Sequence, residues 1–145
     1  MRRAAIAIGI LAGLANPASA ATYAASSPEA QNWMKAYFGN TLICTAAGIF
    51  ECHNWMKADG TLVLFSWDSR PNIMVEGVPM QGVHGLEGTW WLEGEPGKFQ
   101  LCRKNGPTAK PLCQDEPQRK LGDEWDHPGS ANWPAEHFQL VAGHR

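Results

Sequence analysis

The chain has 145 residues, 44% of them hydrophobic and 18% charged, with a formal net charge of −2. That length suits one domain with one core. Beyond Arg2 and Arg3 the basic residues are scattered, with only the doublets Arg103 with Lys104 and Arg119 with Lys120, so the basic stripe of a nucleic-acid binder is excluded.

The N-terminus reads as an export signal. Met1 is followed by Arg2 and Arg3, then by an apolar run from Ala4 to Leu14 that is too short to span a bilayer. Asn16 and Pro17 break it, and Ala18, Ser19 and Ala20 form the small-x-small pattern that a signal peptidase accepts. Cleavage is therefore expected near Ala20, giving a periplasmic or secreted protein with no membrane span in the mature chain. Residues 21–26 are small and polar, which predicts a flexible leader.

A single amphipathic helix is predicted over about residues 28–38. Ser27 can cap it, Pro28 suits its first position, and Glu29 places a negative charge in the first turn. Ala30, Trp33, Met34, Tyr37 and Phe38 follow as one apolar stripe, and Gly39 supplies the stop. Only Lys35 gives this segment a positive charge, so it reads as a lid on a sheet and not as a membrane-surface helix.

From Asn40 onward short apolar runs alternate with turn residues. Thr41 to Thr45 and Ile49 to Trp55 can fold back around Gly48, which sets Cys44 opposite Cys52. Asp59-Gly60 marks the next turn and leads into Thr61 to Trp67, whose Leu62, Val63, Leu64 and Phe65 suit a strand buried on both faces. Pro71, Gly77, Pro79, Gly82 and Gly85 then interrupt any period, so a broken strand or a long covering loop fits residues 68–85. Leu86 to Glu93 and Lys98 to Lys104 flank another turn, with Trp90 and Leu92 on one face and Phe99 and Leu101 facing the same core. Cys102 and Cys113 bracket a further turn, residues 114–136 are polar, and Phe138 to Val141 form a last strand. The fold class is mainly β: an antiparallel meander forming a small barrel or sandwich, with one N-terminal helix. The domain organisation is a signal peptide at 1–20, a leader at 21–26 and one disulfide-stapled β-rich domain over 27–145.

The four cysteines, Cys44, Cys52, Cys102 and Cys113, are spaced C-x7-C and C-x10-C. Structural zinc wants pairs two to four residues apart and redox chemistry wants C-x-x-C. With an even count in an exported chain, two disulfides follow; four cysteines allow three connectivities, and the local pairs are preferred because each brackets one turn. No metal site is expected. The five histidines (His53, His84, His127, His137 and His144) show no ligand spacing. Gly82, Gly85 and Gly88 lack the Lys-Ser or Lys-Thr of a phosphate cradle, and no serine sits in a G-x-S-x-G elbow. The acidic groups Asp115 with Glu116, and Asp123, Glu124 and Asp126, read as solvated faces. No catalytic constellation or cofactor is expected.

Seven tryptophans are the strongest remaining signal. Each can bury on the order of 200 Å², and such rings also line apolar or flat ligand sites. Trp90 and Trp91 are adjacent in a strand and must point to opposite faces, one into the core and the other outward. Trp125 and Trp133 fall in irregular segments beside Asp126, His127 and Pro134. The candidate ligand-binding residues are Trp55, Trp67, Trp90, Trp91, Trp125, His127 and Trp133.

Tyr37-Phe38-Gly39-Asn40-Thr41, Asp59-Gly60-Thr61, Gly88-Thr89-Trp90, Leu101-Cys102 and the later Cys113 together resemble a pattern in a group of small exported bacterial proteins, in which a helix precedes a compact β domain. The group is also similar to lipocalin-like and avidin-like barrels through its G-T-W strand. The resemblance implies fold and location; it brings no activity with it. Cys44 and Cys52 are additional to that pattern.

Three functional expectations follow. The first is a secreted or periplasmic β-barrel that binds a small apolar or aromatic ligand. A variant is an inhibitor of an extracellular enzyme, with a periplasmic protein as partner. The third is a secreted enzyme using His127 with Asp123 or Asp126.

Overall fold

A computed structural model describes residues 19–46, 49–68, 74–75, 78–79, 82–131 and 134–145, with side chains considered outside 74–84. Residues 1–18, which hold most of the expected signal peptide, most of the stretch after Asp68, and Trp133 lie outside the described residues. In chain order the elements are β1 (Ala21–Ala24), α1 (Pro28–Met34), β2 (Thr41–Ala46), β3 (Phe50–Met56), β4 (Thr61–Asp68), β5 (Met74–Val75), β6 (Val78–Pro79), β7 (Gly82–Glu95), β8 (Lys98–Lys104), β9 (Leu112–Asp115), β10 (Glu124–His127) and β11 (Glu136–Val141).

The helix starts as the capping signal requires. Ser27 is extended and its hydroxyl accepts from the Ala30 amide at 3.2 Å, with Pro28 in the first turn. It is shorter than the apolar stripe suggests, ending at Met34. Beyond it, Tyr37, Phe38 and Asn40 amides donate to the carbonyls three residues back, and these tighter turns carry the stripe on to Gly39, whose φ is 74°. Ala30, Met34 and Tyr37 are all buried in the core.

One antiparallel sheet runs in the order β10-β11-β2-β3-β4-β7-β8-β9 and curls into a half-barrel. Consecutive hairpins generate most of that order, and the last hairpin, β10–β11, returns to pair β11 with β2. The two edge strands, β9 and β10, are therefore consecutive in the chain. They are joined by residues 116–123, not by a ladder.

The leader expected at residues 21–26 is instead a strand. Ala21 to Ala24 pair with Trp91 to Gly94 of β7, on the edge that β4 leaves open once its own pairing ends at Thr61↔Thr89. Small side chains suit a strand laid against a long neighbour, and Tyr23 adds an edge-to-face contact with Phe99 at 5.1 Å. Within the segment 68–85, β5 pairs with β6 as a separate ribbon and β7 already begins at Gly82.

Strand alternation fixes the inner face. Leu42, Cys44, Cys52, Met56, Leu62, Trp90, Leu92, Phe99, Leu101, Phe138 and Leu140 point inward and bury one core together with α1. The β4 strand is not buried on both sides as its apolar run suggests: Phe65 is 46% and Trp67 44% exposed on the outer face, while Leu62, Ser66 and Asp68 are buried. A half-barrel has one covered concave face, so every second residue of β4 meets solvent.

Cys44 pairs with Cys52 and Cys102 with Cys113, the two local connectivities. Both lie directly opposite each other in register. The first bridge sits on the inner face among core residues and the second on the outer face beside Trp91. Two disulfides fit an oxidising compartment. No helix among the described residues is long and apolar enough to cross a membrane.

Candidate functional site

The seam between β9 and β10 is where charged groups meet the apolar interior. A cavity of about 190 Å³ opens there. Its floor is the inner face of the sheet and the end of the helical stripe: Leu42, Met56, Leu101, Phe138 and Tyr37. Its walls come from the two edges, with Gln114, Asp115 and Glu116 on one side and Trp125, Asp126 and His127 on the other. Arg103 and Arg119 complete the lining.

Glu116 ties the segment between the edge strands to the rest of the fold. Its amide donates to the Phe99 carbonyl at 3.0 Å, which extends the β8–β9 ladder by one residue. Its carbonyl accepts from the Trp33 indole at 2.8 Å, and its carboxylate accepts from the Tyr37 hydroxyl at 2.6 Å and from Arg119 Nε at 3.1 Å. Burial raises the Glu116 carboxyl above its ordinary range, while Tyr37 and Arg119 pull it back. The Tyr37 phenol is pushed up by burial first and by the neighbouring carboxylate second.

Arg119 is fully engaged. Beside its ion pair with Glu116, its guanidinium carbon lies 3.6 Å from the centre of the Trp125 ring, and Trp125 in turn stacks on Phe138 with centroids 5.4 Å apart. Arg103 differs. It shares the inner face of β8 with Phe99 and Leu101, opposite Trp90, and is half-buried there. Desolvation lowers its pKa, and Glu136 and Glu116 partly offset this through space. Among the described residues no hydrogen bond or ion pair reaches its guanidinium.

The six described candidate ligand-binding residues do not converge. Trp90 fills the core at 2% exposure, with its indole donating to the Lys57 carbonyl at 2.8 Å. Trp91 faces outward and donates to Glu93 at 2.9 Å. Trp55 stacks on His144 at 5.9 Å and donates to the Thr41 hydroxyl at 2.9 Å, so the C-terminal residues of the chain already cover it. Trp67 is exposed on β4, remote in the sheet order from either edge. Trp125 and His127 alone line the seam cavity, and Trp133 lies outside the described residues.

His127 does not form an acid/base pair with its acidic neighbours. Asp126 bonds His137 Nδ1 at 2.9 Å, and Asp123 accepts from the Lys120 amide at 2.9 Å. All of Asp126, His127 and His137 are exposed. Glu93 lies near the sulfurs of Cys102 and Cys113, but these are bonded to each other and offer no thiolate to a metal.

The short motifs have structural employment. Asn40 bonds the Ala36 carbonyl and the Gly143 amide, and the Thr41 hydroxyl donates to the Gly143 carbonyl at 2.6 Å, so this pair fastens the end of the chain to β2. Asp59 accepts from the Thr61 amide at 2.8 Å across Gly60, whose φ is 91°. Gly88 has no room for a side chain: a Cβ there would stand 2.2 Å from the Lys104 carbonyl oxygen. Trp90 then pins the Asp59-Gly60 turn, its backbone amide donating to the Gly60 carbonyl at 2.9 Å.

Tyr37, Arg103, Glu116 and Arg119 were not among the residues expected at a site. Arg103 carried a usable signal, a charge at period two with Phe99 and Leu101. Glu116 and Arg119 carried none, since their segment reads as polar throughout. Comparison with family models, with curated proteins and with solved structures yields no match to this chain.

Proposed function

We propose that this protein is an exported binding module that holds a small ligand with an apolar or aromatic body in the seam between β9 and β10. The observation that carries the reading is the convergence of an apolar floor, an aromatic wall and two arginines on one cavity at the only unladdered junction in the strand order described. The lining joins an apolar floor to a rim of charged and polar side chains, which suits a ligand with both an apolar body and a polar group. Among the described residues, Met34, Tyr37, Met56, Leu62 and Leu92 fill the interior, so the seam is where the ligand is placed. At about 190 Å³ the seam falls below the range of roughly 300–1,000 Å³ common for drug-sized ligands, so the ligand is small.

A thermal-shift screen of small aromatic and aliphatic compounds tests this reading. Binders raise the melting temperature of the mature protein, and the rise is lost in Trp125→Ala. No stabilisation by any compound in the panel removes the small-ligand reading.

A second reading, a periplasmic inhibitor or adaptor with a protein partner, draws on Phe65 and Trp67, exposed at 46% and 44% on the same outer face. A Phe65→Ser, Trp67→Ser double variant separates the two. Loss of a purified partner complex with retained small-ligand binding assigns the partner to the outer face; an unchanged complex removes this second reading.

A further inference from the structure

Arg103 has a feature that the remaining charges at the seam do not share. Each acid lining the cavity already has a partner: Glu116 holds Tyr37 and Arg119, Asp115 accepts from Gln100 at 3.0 Å, and Asp126 is bonded to His137. Arg119 is held between Glu116 and the Trp125 ring. Arg103 reaches the same cavity from the inner face of β8 and has no direct partner among the described residues. Arg103 is half-buried, and the planar fork of a guanidinium without a protein partner matches a carboxylate with two parallel bonds.

We propose that the seam pocket selects small carboxylates, with Arg103 receiving the carboxylate and the apolar body lying on Leu42, Met56, Leu101 and Phe138 beside Trp125. The proposal rests on the reading of the seam as a ligand site and adds the chemical class. Glu136 and Glu116 are the charges that influence Arg103 from a distance. Glu116 is committed to Tyr37 and Arg119, and Glu136 extends from the same inner-face register as Phe138 without an ion pair to Arg103. A carboxylate ligand therefore adds a contact to Arg103 and displaces none.

Benzoate and benzamide form a matched pair of probes, equal in shape and differing in charge. Their affinities for the mature, disulfide-intact protein can be read by nuclear magnetic resonance titration into the millimolar range. Benzoate is expected to bind at least about tenfold more tightly than benzamide, and Arg103→Met to erase the difference. Arg103→Lys keeps the charge but not the fork, and is expected to retain part of the preference. Arg103→Met should remain folded, because an apolar chain of similar length replaces an unpaired inward charge; a melting curve checks this, and Arg103→Lys carries the test if it does not. Glu136→Gln is expected to leave the preference intact or enlarge it. Equal binding of the two probes to the wild-type protein overturns the carboxylate proposal while leaving the pocket reading standing. Binding of neither probe overturns both. A preference that survives in Arg103→Met also overturns the assignment to Arg103.

Discussion

The interior beneath α1 and the seam between β9 and β10 are built from the same sheet face but follow opposite rules. Beneath the helix, Met34, Met56, Leu62, Trp90 and Leu92 close the space with apolar atoms, and the Trp90 indole donates to the Lys57 carbonyl. At the seam, Tyr37, Glu116, Arg119 and Trp125 are linked side chain to side chain, and Arg103 enters without a direct partner. The first region holds the fold together and the second leaves chemistry accessible. In a nearly cyclic strand order, the junction without a ladder is where that difference can arise.

The comparison can be broken first at the core. Trp90→Ala removes a buried ring and its bond to the Lys57 carbonyl, and a loss of about 3–5 kcal/mol is expected by chemical denaturation. A loss below about 1 kcal/mol would show that the region under α1 is not the tightly packed one. Gly88→Ala tests the close approach of β7 to the Lys104 carbonyl oxygen; overpacking there is expected to cost about 1–3 kcal/mol. A neutral effect would mean that the chain after β8 yields easily.

The seam contributes a pH dependence. Because burial raises the Glu116 carboxyl above its ordinary value of 4.5, the folded state holds this proton more tightly than the unfolded chain does. Its contribution to stability is therefore full below that ordinary value and is lost as pH rises through the raised folded value. Glu116→Gln, which is neutral throughout and keeps an oxygen for Tyr37, is expected to flatten this stretch of the stability profile. Melting temperatures of the two proteins from pH 4 to 8 check it, and parallel profiles would show that Glu116 is not the group responsible.

Much of the fold was legible in the sequence, because it rests on local signals. The register that sets Cys44 opposite Cys52 follows from a turn centre, and Trp90 and Trp91 divide between the faces by alternation alone. What was not legible depends on partners far along the chain. Ala21 to Ala24 become a strand only because β7 outruns β4 and offers a vacant edge. Phe65 reads as buried until the sheet is seen to have one covered face. The site was harder for the same reason: Tyr37 and Glu116 are 79 residues apart, and neither neighbourhood announces the other. Aromatic content pointed to ligand binding, yet it pointed to six tryptophans, and those of them that are described divide into core, outer face and seam.

The central claim, that binding belongs to the seam and not to the outer face or the packed interior, is tested most directly by the indole N–H resonances of the tryptophans during titration with benzoate. The account predicts that the Trp125 signal, identified by its loss in Trp125→Phe, shifts with saturation while those of Trp67, Trp91 and Trp90 stay in place. Saturable movement of Trp67 or Trp90 with Trp125 unmoved would contradict it.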